Sequence, residues 1–435
     1  MSPAFPQITV NIRSIAVGGA GVGEVKSQSD GGAELLGITA FVPYCAAGEI
    51  VSAQVTEKKE RYVKADLLTI EQASPDRTEP RCKYYANCGG CELQHMAYAA
   101  QLKAKYEMIA GALRAAKLPS TVVGVLRPLT PSAPYHYRRR ISLHLDSGGR
   151  TGFYRQNSRS VVPIDSCSVA SPAINSLLAQ IQSFGRLVQG KISSVQLEED
   201  VQGVVAVLQS PYDLSPAEQK EIIEQAKPFF ASVVLMTGEK ETGGYGRQIL
   251  DLPLNEKNSC SLRVPAGYFS QVNWPVNLAL IERVVRSAQI AYGELAYDLY
   301  AGAGNFSIPL ARAGAQVTAV ECDKRLVSFG RESAKRFNLD RRIEFVEKSV
   351  EKFLSSQKHN DARIIVADPP RSGLGKLVSQ LNFGRKLLFV SCHLPSFVRD
   401  VKALLEQGWE AETIEPFDMF AQTSYVETLG VLRRA

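Results

Sequence analysis

The 435-residue chain lacks the features of a membrane protein and of a secreted protein. No segment approaches the roughly 18 consecutive apolar residues that a membrane-spanning helix needs. The opening residues, MSPAFPQITVNIRS, have neither the basic start nor the apolar core of a signal peptide. Without a secretory signal, the eight cysteines are not expected to form a disulfide framework. We therefore expect a cytoplasmic protein whose cysteines are thiols or metal ligands.

The chain also lacks a strong excess of either charge. Its formal net charge of +6 is spread over a large protein, so it permits a polyanionic partner without identifying one. Hydrophobic residues make up 45% and charged residues 22% of the sequence, which is ordinary for a folded protein. The length exceeds the size at which a single core usually keeps growing, so we expect two or three domains.

The first glycine-rich stretch, residues 18–23, lacks the helix that a dinucleotide-binding loop requires after its glycines. Short segments with β character instead follow one another at close spacing. This spacing predicts a small β-barrel of the oligonucleotide-binding kind over residues 1–72. The predicted strands are Ile8–Ile12, Gly23–Lys26, Leu36–Val42, Glu49–Thr56 and Arg61–Ile70. Basic residues on the last hairpin fit an RNA-facing patch and a lysine-protected sheet edge equally well.

Four cysteines have the spacing of a metal site. Cys82, Cys88 and Cys91 lie within ten residues, and Cys167 follows at a distance. Four thiolates suit an iron–sulfur cluster or a structural zinc ion. Zinc ligands usually come as two short pairs, whereas three local ligands and one distant ligand are commoner for clusters. The pattern favours an iron–sulfur cluster, and a zinc ion or unbound thiols are the alternatives.

Basic and aromatic residues are interleaved between these cysteines. The sequence YHYRRR ends in Arg138, Arg139 and Arg140, and residues 152–159 read GFYRQNSR. Such residues on strands suit single-stranded RNA, because bases stack on aromatic rings and phosphates pair with arginine. A solvated strand face is the alternative. Three consecutive arginines favour the RNA-binding interpretation.

Helical and strand patterns alternate from about residue 276, which predicts a largely parallel sheet flanked by helices. The first strand, residues 295–300, leads into a loop with Gly302 and Gly304, where the backbone can approach a ligand closely. The next strand ends at Glu321, a carboxylate suited to holding ribose hydroxyls. Ser307 stands where the dinucleotide fingerprint has its third glycine. The loop therefore fits an adenosyl ligand such as S-adenosylmethionine better than NAD.

Two further strands of this region end in polar or reactive side chains. Asp368 follows the strand 364–367 and opens the sequence DPPR, whose prolines fix the backbone of the exit. Cys392 follows the strand 387–390, at the sheet edge where ligands bind, and a helical pattern follows from Ser396 to about Glu406. Because a thiolate is intrinsically nucleophilic, we hypothesise that Cys392 is a nucleophile. The alternative is a small buried apolar side chain.

Together these motifs resemble those of the S-adenosylmethionine-dependent RNA uracil-5-methyltransferases over nearly the whole chain. The resemblance extends to YFSQVN at residues 268–273 and to DMF at residues 418–420, followed by Glu427. It implies an α/β fold with three domains. These are a TRAM-like, OB-like RNA-binding barrel over residues 1–72, a central α+β iron–sulfur domain over residues 73–260, and a Rossmann-like methyltransferase domain over residues 261–435.

The resemblance also implies cofactors and site residues. The four cysteines would hold a [4Fe–4S] cluster, with S-adenosylmethionine as the methyl donor. Cys392 would act as the nucleophile and Glu427 as the base, and Phe269 would contact the target region of the RNA. The residues that would contact S-adenosylmethionine are Gln271, Tyr300, Gly302, Gly304, Glu321 and Asp368.

The same resemblance favours one class of RNA substrate. A barrel combined with a cluster resembles the members that act on 23S rRNA more than those that act on tRNA, so tRNA is the alternative. We expect a monomer. Two positions depart from the family pattern: Tyr425 replaces a histidine that often precedes the base, and His393-Leu394 follows Cys392 where Asn-Pro is common.

Two other functions stay open at the level of sequence. An amino-group methyltransferase would use Asp368-Pro369-Pro370 to hold an exocyclic amine. A non-catalytic RNA-binding iron–sulfur protein would need the barrel and the cluster alone. Both leave Cys392 and Glu427 without a task, which favours the uracil methyltransferase.

Overall fold

The computed structural model describes residues 5–29, 33–255, 259–356 and 362–434. The chain divides into two compact units. Unit 1 comprises Met1–Gly111, Tyr154–Val162 and Phe420–Tyr425, and unit 2 comprises Ala112–Phe153, Pro163–Met419 and Val426–Ala435. The predicted division into three domains after residues 72 and 260 stays a prediction, and the first four residues of the predicted barrel domain lie outside the described part.

Unit 1 begins with the predicted small barrel. Its strands are β1 (Gln7–Ile15), β2 (Gly21–Gln28), β3 (Thr39–Val42), β4 (Ile50–Lys58) and β5 (Tyr62–Gln72). They close in the order β1-β2-β3-β5-β4, with β4 pairing back onto β1. Alternate side chains such as Ile8, Val10 and Ile12 point inward and are almost fully buried, as expected for a half-buried strand. All five predicted strands are present, with shifted ends.

The rest of unit 1 consists of a turn-rich segment and a helix. The segment contains Cys82, Cys88 and Cys91, and α1 (Tyr98–Ala115) follows it. Backbone contacts hold residues 420–425 in this unit: the N–H groups of Glu92 and Leu93 both donate to the Gln422 carbonyl at 3.0 Å. The short segment that precedes the last strand of the chain is thereby fixed within unit 1.

Unit 2 contains a seven-stranded mixed sheet in the order β12-β11-β10-β9-β6-β7-β8. Its strands are β6 (Arg140–Leu145), β7 (Thr151–Tyr154), β8 (Val161–Pro163), β9 (Ser194–Asp200), β10 (Gly203–Ser210), β11 (Val233–Thr237) and β12 (Lys240–Tyr245). The helices of this part are α2 (Ser120–Gly124), α3 (Pro172–Leu178), α4 (Ile181–Leu187) and α5 (Pro216–Ala226). A hairpin of β13 (Ile249–Pro253) and β14 (Ser261–Pro265) follows.

The second sheet of unit 2 confirms the predicted α/β architecture. Its strands are β15 (Leu295–Leu299), β16 (Gln316–Glu321), β17 (Ile343–Glu347), β18 (Ile364–Ala367), β19 (Lys386–Ser391), β20 (Glu410–Phe417) and β21 (Glu427–Arg433). The helices are α6 (Trp274–Ala288), α7 (Ser307–Arg312), α8 (Lys324–Arg336), α9 (Val350–Ser356) and α10 (Leu394–Glu406), with a 3₁₀ helix at Gly375–Gln380. Strands β15 to β19 run parallel, in the order β17-β16-β15-β18-β19.

The order of this sheet reverses between β15 and β18, because the chain first moves outward through β16 and β17 and then crosses back to β18. Ligands of open α/β sheets bind at such a switch point, outside the carboxyl ends of the strands. Strand β21 lies antiparallel between β19 and β20. Among the described residues, no helix combines the length and the apolar character needed to cross a membrane.

Candidate active site

Strand pairing brings the predicted nucleophile and the predicted base together. The register of β19 with β21 pairs Val390 with Leu429 and Ser391 with Thr428. Because the two strands are antiparallel, the residue that follows Ser391 at the end of β19 lies near the residue that precedes Thr428 in β21. These residues are Cys392 and Glu427. Strand β21 begins at Glu427 itself, so the carboxyl group is fixed by the sheet.

The glycine loop after β15 has the form of a ligand-binding loop. Tyr300, Gly302 and Gly304 have φ angles of +64°, +56° and +104°, which turn the backbone sharply at the strand end. A Cβ placed on Gly302 would meet no heavy atom within 4 Å, so the space in front of the loop is open. The Gly302 N–H donates to Glu321 Oε2 at 3.0 Å. The loop and the predicted ribose carboxylate are therefore held together, which fits an adenosyl ligand.

Glu321 is oriented from two sides. Besides the bond from Gly302, its Oε1 accepts the N–H groups of Cys322 at 2.6 Å and Asp323 at 2.9 Å. A carboxylate fixed by backbone donors keeps a defined direction toward a ligand. The predicted role of Glu321 in binding ribose stays a prediction, and its geometry suits that role.

Two asparagines that the sequence analysis missed connect the loop to α6. The side-chain amides of Asn277 and Asn305 exchange hydrogen bonds of 2.9 and 3.1 Å. Asn277 is fully buried, whereas Asn305 follows Gly304 at the loop. Asn305 is the polar side chain within AGAGNF, which is the signal that could have identified it. Its partner on α6 has no such signal, because an asparagine in a helical pattern is usually solvated.

Three carboxyl groups lie near the ends of β15, β18 and β21. Burial raises the pKa of Asp298 to about 7, and Ser307 Oγ donates to its Oδ2 at 2.5 Å. Burial and the charge of Asp298 raise the pKa of Asp368 to about 7. Burial and the charge of Asp368 raise the pKa of Glu427 well above its usual value. Closely spaced acids that are buried away from water oppose one another's ionisation, because each added negative charge raises the pKa of its neighbours.

The Cys392 thiol is half-buried beside these acids. Burial and the charges of Glu427 and Asp368 together raise its pKa to about 11, while Arg371 acts in the opposite direction. At neutral pH the ligand-free protein therefore holds Cys392 as a thiol rather than a thiolate. A nucleophile in this position needs a proton acceptor, and the carboxyl groups that oppose its ionisation are also the nearest candidates.

His393 explains one departure from the family pattern. Its Nδ1 accepts the Ser396 N–H at 3.4 Å, so the imidazole caps the amino end of α10. Asparagine is among the preferred residues for such a cap, and a histidine acceptor can replace it when Nδ1 carries no proton. The helix begins at Leu394, two residues before the predicted start. The exit from Cys392 is therefore fixed without Asn-Pro.

The segment between β14 and α6 presents Phe269 and Gln271 in different ways. The Phe269 side chain is 69% exposed, whereas Gln271 is 7% exposed. An exposed aromatic ring suits base stacking, and a buried amide suits a fixed contact with a small ligand. These arrangements agree with the predicted roles of the two residues, which stay predictions.

The structure places Arg139 differently from the sequence interpretation. This side chain is only 6% exposed, and its guanidinium donates to groups of the same unit. Arg139 therefore does not offer its charge to an RNA phosphate in this structure, because its donors point inward. Arg140 is half-buried, and an RNA contact by Arg138 or Arg140 stays a prediction.

The predicted metal site is not supported. Within residues 5–29, 33–255, 259–356 and 362–434, no group of three or more cysteine, histidine, aspartate or glutamate side chains could hold a metal ion. A cluster needs its ligands to converge within bonding distance of the metal. We derive no chemistry from a cluster.

Comparison with known proteins finds related enzymes over most of the chain. A model of the tRNA (Uracil-5-)-methyltransferase family matches residues 247–435. The 23S rRNA (uracil(1939)-C(5))-methyltransferase RlmD of Shewanella sp. strain W3-18-1 is 31% identical over 416 residues, covering 92% of each chain. The same-named enzyme of Shewanella amazonensis is 30% identical over 408 residues, covering 92% of this chain and 91% of that protein.

A solved structure shares the fold of nearly the whole chain. It is the tRNA (uracil-54, C5)-methyltransferase of Pyrococcus abyssi in complex with S-adenosyl-L-homocysteine. The match covers 98% of this chain and 100% of that chain, with a TM-score of 0.74 and 21% identity. With relatives at about 30% identity along more than nine tenths of the chain, this protein belongs to the S-adenosylmethionine-dependent RNA (uracil-5-)-methyltransferases.

Proposed function

We propose that this protein transfers a methyl group from S-adenosylmethionine to carbon 5 of a uridine in 23S rRNA, through a covalent bond between Cys392 and the uracil. The observation that carries the proposal is the pairing of β19 with β21, which sets Cys392 opposite Glu427 beside Asp368. The relatives that align along the whole chain are named for 23S rRNA, which supports this substrate.

The residue types follow from the chemistry of uracil. Carbon 5 is a weak nucleophile, and addition of the Cys392 thiolate to carbon 6 converts the ring into an enolate whose carbon 5 can attack. When bound, S-adenosylmethionine supplies the electrophilic methyl group. Glu427 then removes the proton from carbon 5, the double bond re-forms, and the Cys392 sulfur leaves carbon 6. The uridine must leave its stack to reach a thiol at this sheet edge.

The raised pKa of Glu427 suits the second half of this sequence. A carboxylate with an ordinary pKa is a poor acceptor for a carbon-bound proton, and burial makes Glu427 a stronger base. Asp368 lies between the cofactor loop and the thiol in the order of strands, because β18 separates β15 from β19. We assign Asp368 to the place where the methyl group and the uracil meet.

The test uses RNA in which the target uridine is replaced by 5-fluorouridine. Fluorine cannot leave carbon 5 as a proton does, so methyl transfer should trap the thiol-linked complex on a denaturing gel. A 23S rRNA fragment and a tRNA are offered separately, each with S-adenosylmethionine. We expect an adduct with the 23S rRNA fragment for the wild type and none for Cys392→Ala.

The matched control is Cys322→Ala, which removes an exposed thiol and should leave the adduct intact. An adduct with tRNA alone would assign the substrate that the family model and the solved structure are named for. An adduct that persists in Cys392→Ala would reject this nucleophile. Methylated adenine in the product would instead establish the amino-group methyltransferase.

A [4Fe–4S] cluster on the four predicted cysteines is a separate proposal, supported by their spacing in the sequence alone. It is tested by measuring iron and acid-labile sulfide in protein purified without oxygen. About four of each per chain are expected for a cubane cluster, and fewer in Cys88→Ser. Zinc in place of iron would support the structural alternative.

We also propose that the closed barrel is a TRAM-like RNA-binding domain. On its last hairpin, Lys59 and Lys64 both form ion pairs with Glu57, at 2.6 and 2.7 Å. These pairs are exposed and therefore weak, so they can exchange for phosphate contacts. Lys64→Gln should weaken binding of an RNA fragment and reduce its salt dependence, whereas a protected sheet edge would leave both unchanged.

A further inference from the structure

Arg139 and Arg140, two of the three consecutive arginines, form an internal clamp, a set of hydrogen bonds within unit 2, rather than an exposed strand face. Two hydrogen bonds from Arg139 Nη1 reach the segment between β14 and α6, one to Ser270 Oγ at 2.8 Å and one to the Gln271 carbonyl at 3.3 Å. The Arg139 backbone N–H adds a third bond, to the Val272 carbonyl at 2.9 Å. One residue therefore holds three consecutive positions of the segment.

The other side of the clamp is β9. Arg139 Nε donates to the Glu199 carbonyl at 2.5 Å, and the Glu199 N–H donates back to the Arg139 carbonyl at 2.8 Å. The planar guanidinium thus joins the seven-stranded sheet to the segment in a fixed direction. A lysine at this position has a single nitrogen and cannot reach both sides with the same geometry.

Arg140 holds the start of the segment in the same way. Its Nη1 donates to the Tyr268 carbonyl and its Nη2 to Gln196 Oε1, both at 3.0 Å. Its Nε lies 3.3 Å from Oε1 of Glu198, which is fully buried. Arg139 and Arg140 therefore hold different parts of one segment, which we call the 268–273 segment.

The segment is also fixed at its far end. Asn273 Oδ1 accepts the Val276 N–H at 3.5 Å and caps α6, while Asn273 Nδ2 donates to Ser132 Oγ at 2.7 Å. Between these anchors the segment exposes Phe269 and buries Gln271. Its direction toward a ligand therefore depends on the clamp.

The buried Arg139 side chain keeps its positive charge. Burial lowers the pKa of Arg139 to about 10, with the charges of Glu198, Asp200 and Glu199 acting against the shift, so the side chain stays charged at neutral pH. A buried charge is costly unless directed bonds compensate for it. The hydrogen bonds of Arg139 reach β9 and the 268–273 segment. They fix the position of the segment relative to the strand.

We propose that Arg139 and Arg140 are positioning residues for methyl transfer: Arg139 sets Gln271 for S-adenosylmethionine, and Arg140 sets Tyr268-Phe269 for the RNA. This inference rests on the proposed roles of Gln271 and Phe269. It assigns the two functions of one segment to two neighbouring arginines.

The experiment measures two affinities of the full-length protein. Binding of S-adenosylhomocysteine is titrated calorimetrically without RNA, and binding of a 23S rRNA fragment is measured at several salt concentrations without cofactor. Arg139→Lys should weaken S-adenosylhomocysteine by about tenfold, equal to about 1.4 kcal/mol, and leave RNA affinity within about threefold. Arg140→Lys should show the reverse, with the larger loss in RNA affinity.

Arg247→Lys is the matched control. Arg247 also uses its fork inside unit 2, donating to Asp200 Oδ2 at 2.5 Å and to the Ile249 carbonyl at 2.8 Å, but it does not contact the 268–273 segment. Its replacement should lower the melting temperature as Arg139→Lys does, without changing either affinity. Equal losses of affinity in Arg139→Lys and Arg247→Lys would mean general destabilisation and would overturn the proposal.

A double-mutant cycle separates positioning from direct contact. If Arg139 acts through Gln271, Arg139→Lys should cost little further affinity for S-adenosylhomocysteine in a Gln271→Ala background. A loss of RNA affinity with a smaller salt slope, and unchanged S-adenosylhomocysteine binding, would show that Arg139 contacts phosphate directly. Failure of the wild type to bind S-adenosylhomocysteine would count against the proposed function rather than the clamp.

Discussion

Cys392 and Glu427, the proposed nucleophile and base, are both held toward their neutral forms in the ligand-free protein. Burial and neighbouring negative charges raise the pKa of each group, so each prefers its neutral form. In the ligand-free protein the thiol is therefore protected from adventitious reaction.

The base can be tested apart from the nucleophile. Glu427→Gln keeps the size of the side chain but cannot remove the proton from carbon 5, so thiol elimination should stall after methyl transfer. We expect a covalent protein–RNA complex to accumulate with ordinary uridine, visible on a denaturing gel and carrying the labelled methyl group. The double variant Cys392→Ala/Glu427→Gln should show none. Normal turnover by Glu427→Gln would assign the base to another residue.

The pKa of Cys392 can be followed through its alkylation. Because burial and then the charge of Glu427 raise that pKa, to about 11, the rate of reaction with iodoacetamide should rise steadily with pH from neutral toward 11. Glu427→Gln removes one negative neighbour, so the apparent pKa should fall and the rate at pH 8 should increase. Mass spectrometry of the peptide with Cys392 separates this thiol from the others. Glu415→Gln, a carboxyl group on β20, should leave the profile unchanged.

Helix α8 and strand β17 pack through one glycine. A Cβ added to Gly330 would lie 2.3 Å from Cε1 of Phe345, so the helix approaches the ring more closely than any other residue would permit. Cζ of the same ring lies 3.1 Å from the position of a Cβ added to Gly304, in the glycine loop after β15. Phe345 therefore packs against both the helix and the loop, and the spacing of these elements follows from two glycines.

This packing predicts that replacement by alanine lowers the stability of the protein at one helical glycine and raises it at another. Gly330→Ala should destabilise the protein by about 1–3 kcal/mol through overpacking, in spite of the better helix propensity of alanine. Gly111→Ala on α1, where nothing lies within 4 Å, should instead stabilise it by up to about 1 kcal/mol. Thermal unfolding of the two variants checks the contrast. Phe345→Leu should relieve the clash in the double variant, and an unaltered melting temperature for Gly330→Ala would disprove the close approach.

At the scale of the whole molecule, the raised pKa values of Asp298 and Asp368 act on stability. Both carboxyl groups keep their protons to about pH 7 in the folded protein, whereas in the unfolded chain they lose them near their model value of 3.8. Between these limits the folded state binds more protons than the unfolded state. The free energy of unfolding contributed by these groups is therefore present below about pH 4 and lost as pH rises to 7.

The corresponding measurement compares urea unfolding of the cofactor-free wild type and Asp298→Asn between pH 5 and 8. Asparagine cannot ionise, so the variant has one titrating carboxyl group fewer than the wild type. The wild type should lose more stability than the variant as pH rises, and the difference between the two curves reports the titration of Asp298 together with its effect on the pKa of Asp368. Parallel curves would mean that Asp298 does not titrate in this range.

Local patterns predicted much of the fold because strands and helices are read from neighbouring residues. The five barrel strands and the strands that lead to Gly302, Asp368 and Cys392 were all predicted within a few residues. Their common edge also followed from sequence, since parallel strands joined by helices end on one side of a sheet. The start of α10 was missed because His393 is an uncommon cap.

Burial and long-range pairing could not be read in this way. YHYRRR reads as an exposed basic strand, yet Arg139 is buried, because Glu199, Ser270 and Gln271 supply acceptors that no local pattern reveals. Likewise, Glu427 lies near Cys392 because β21 pairs antiparallel with both β19 and β20. The sequence by itself determined the kinds of chemical groups and the order of the elements that bear them. The tertiary structure decided which groups meet and which are dry, since both depend on contacts between segments far apart in the chain.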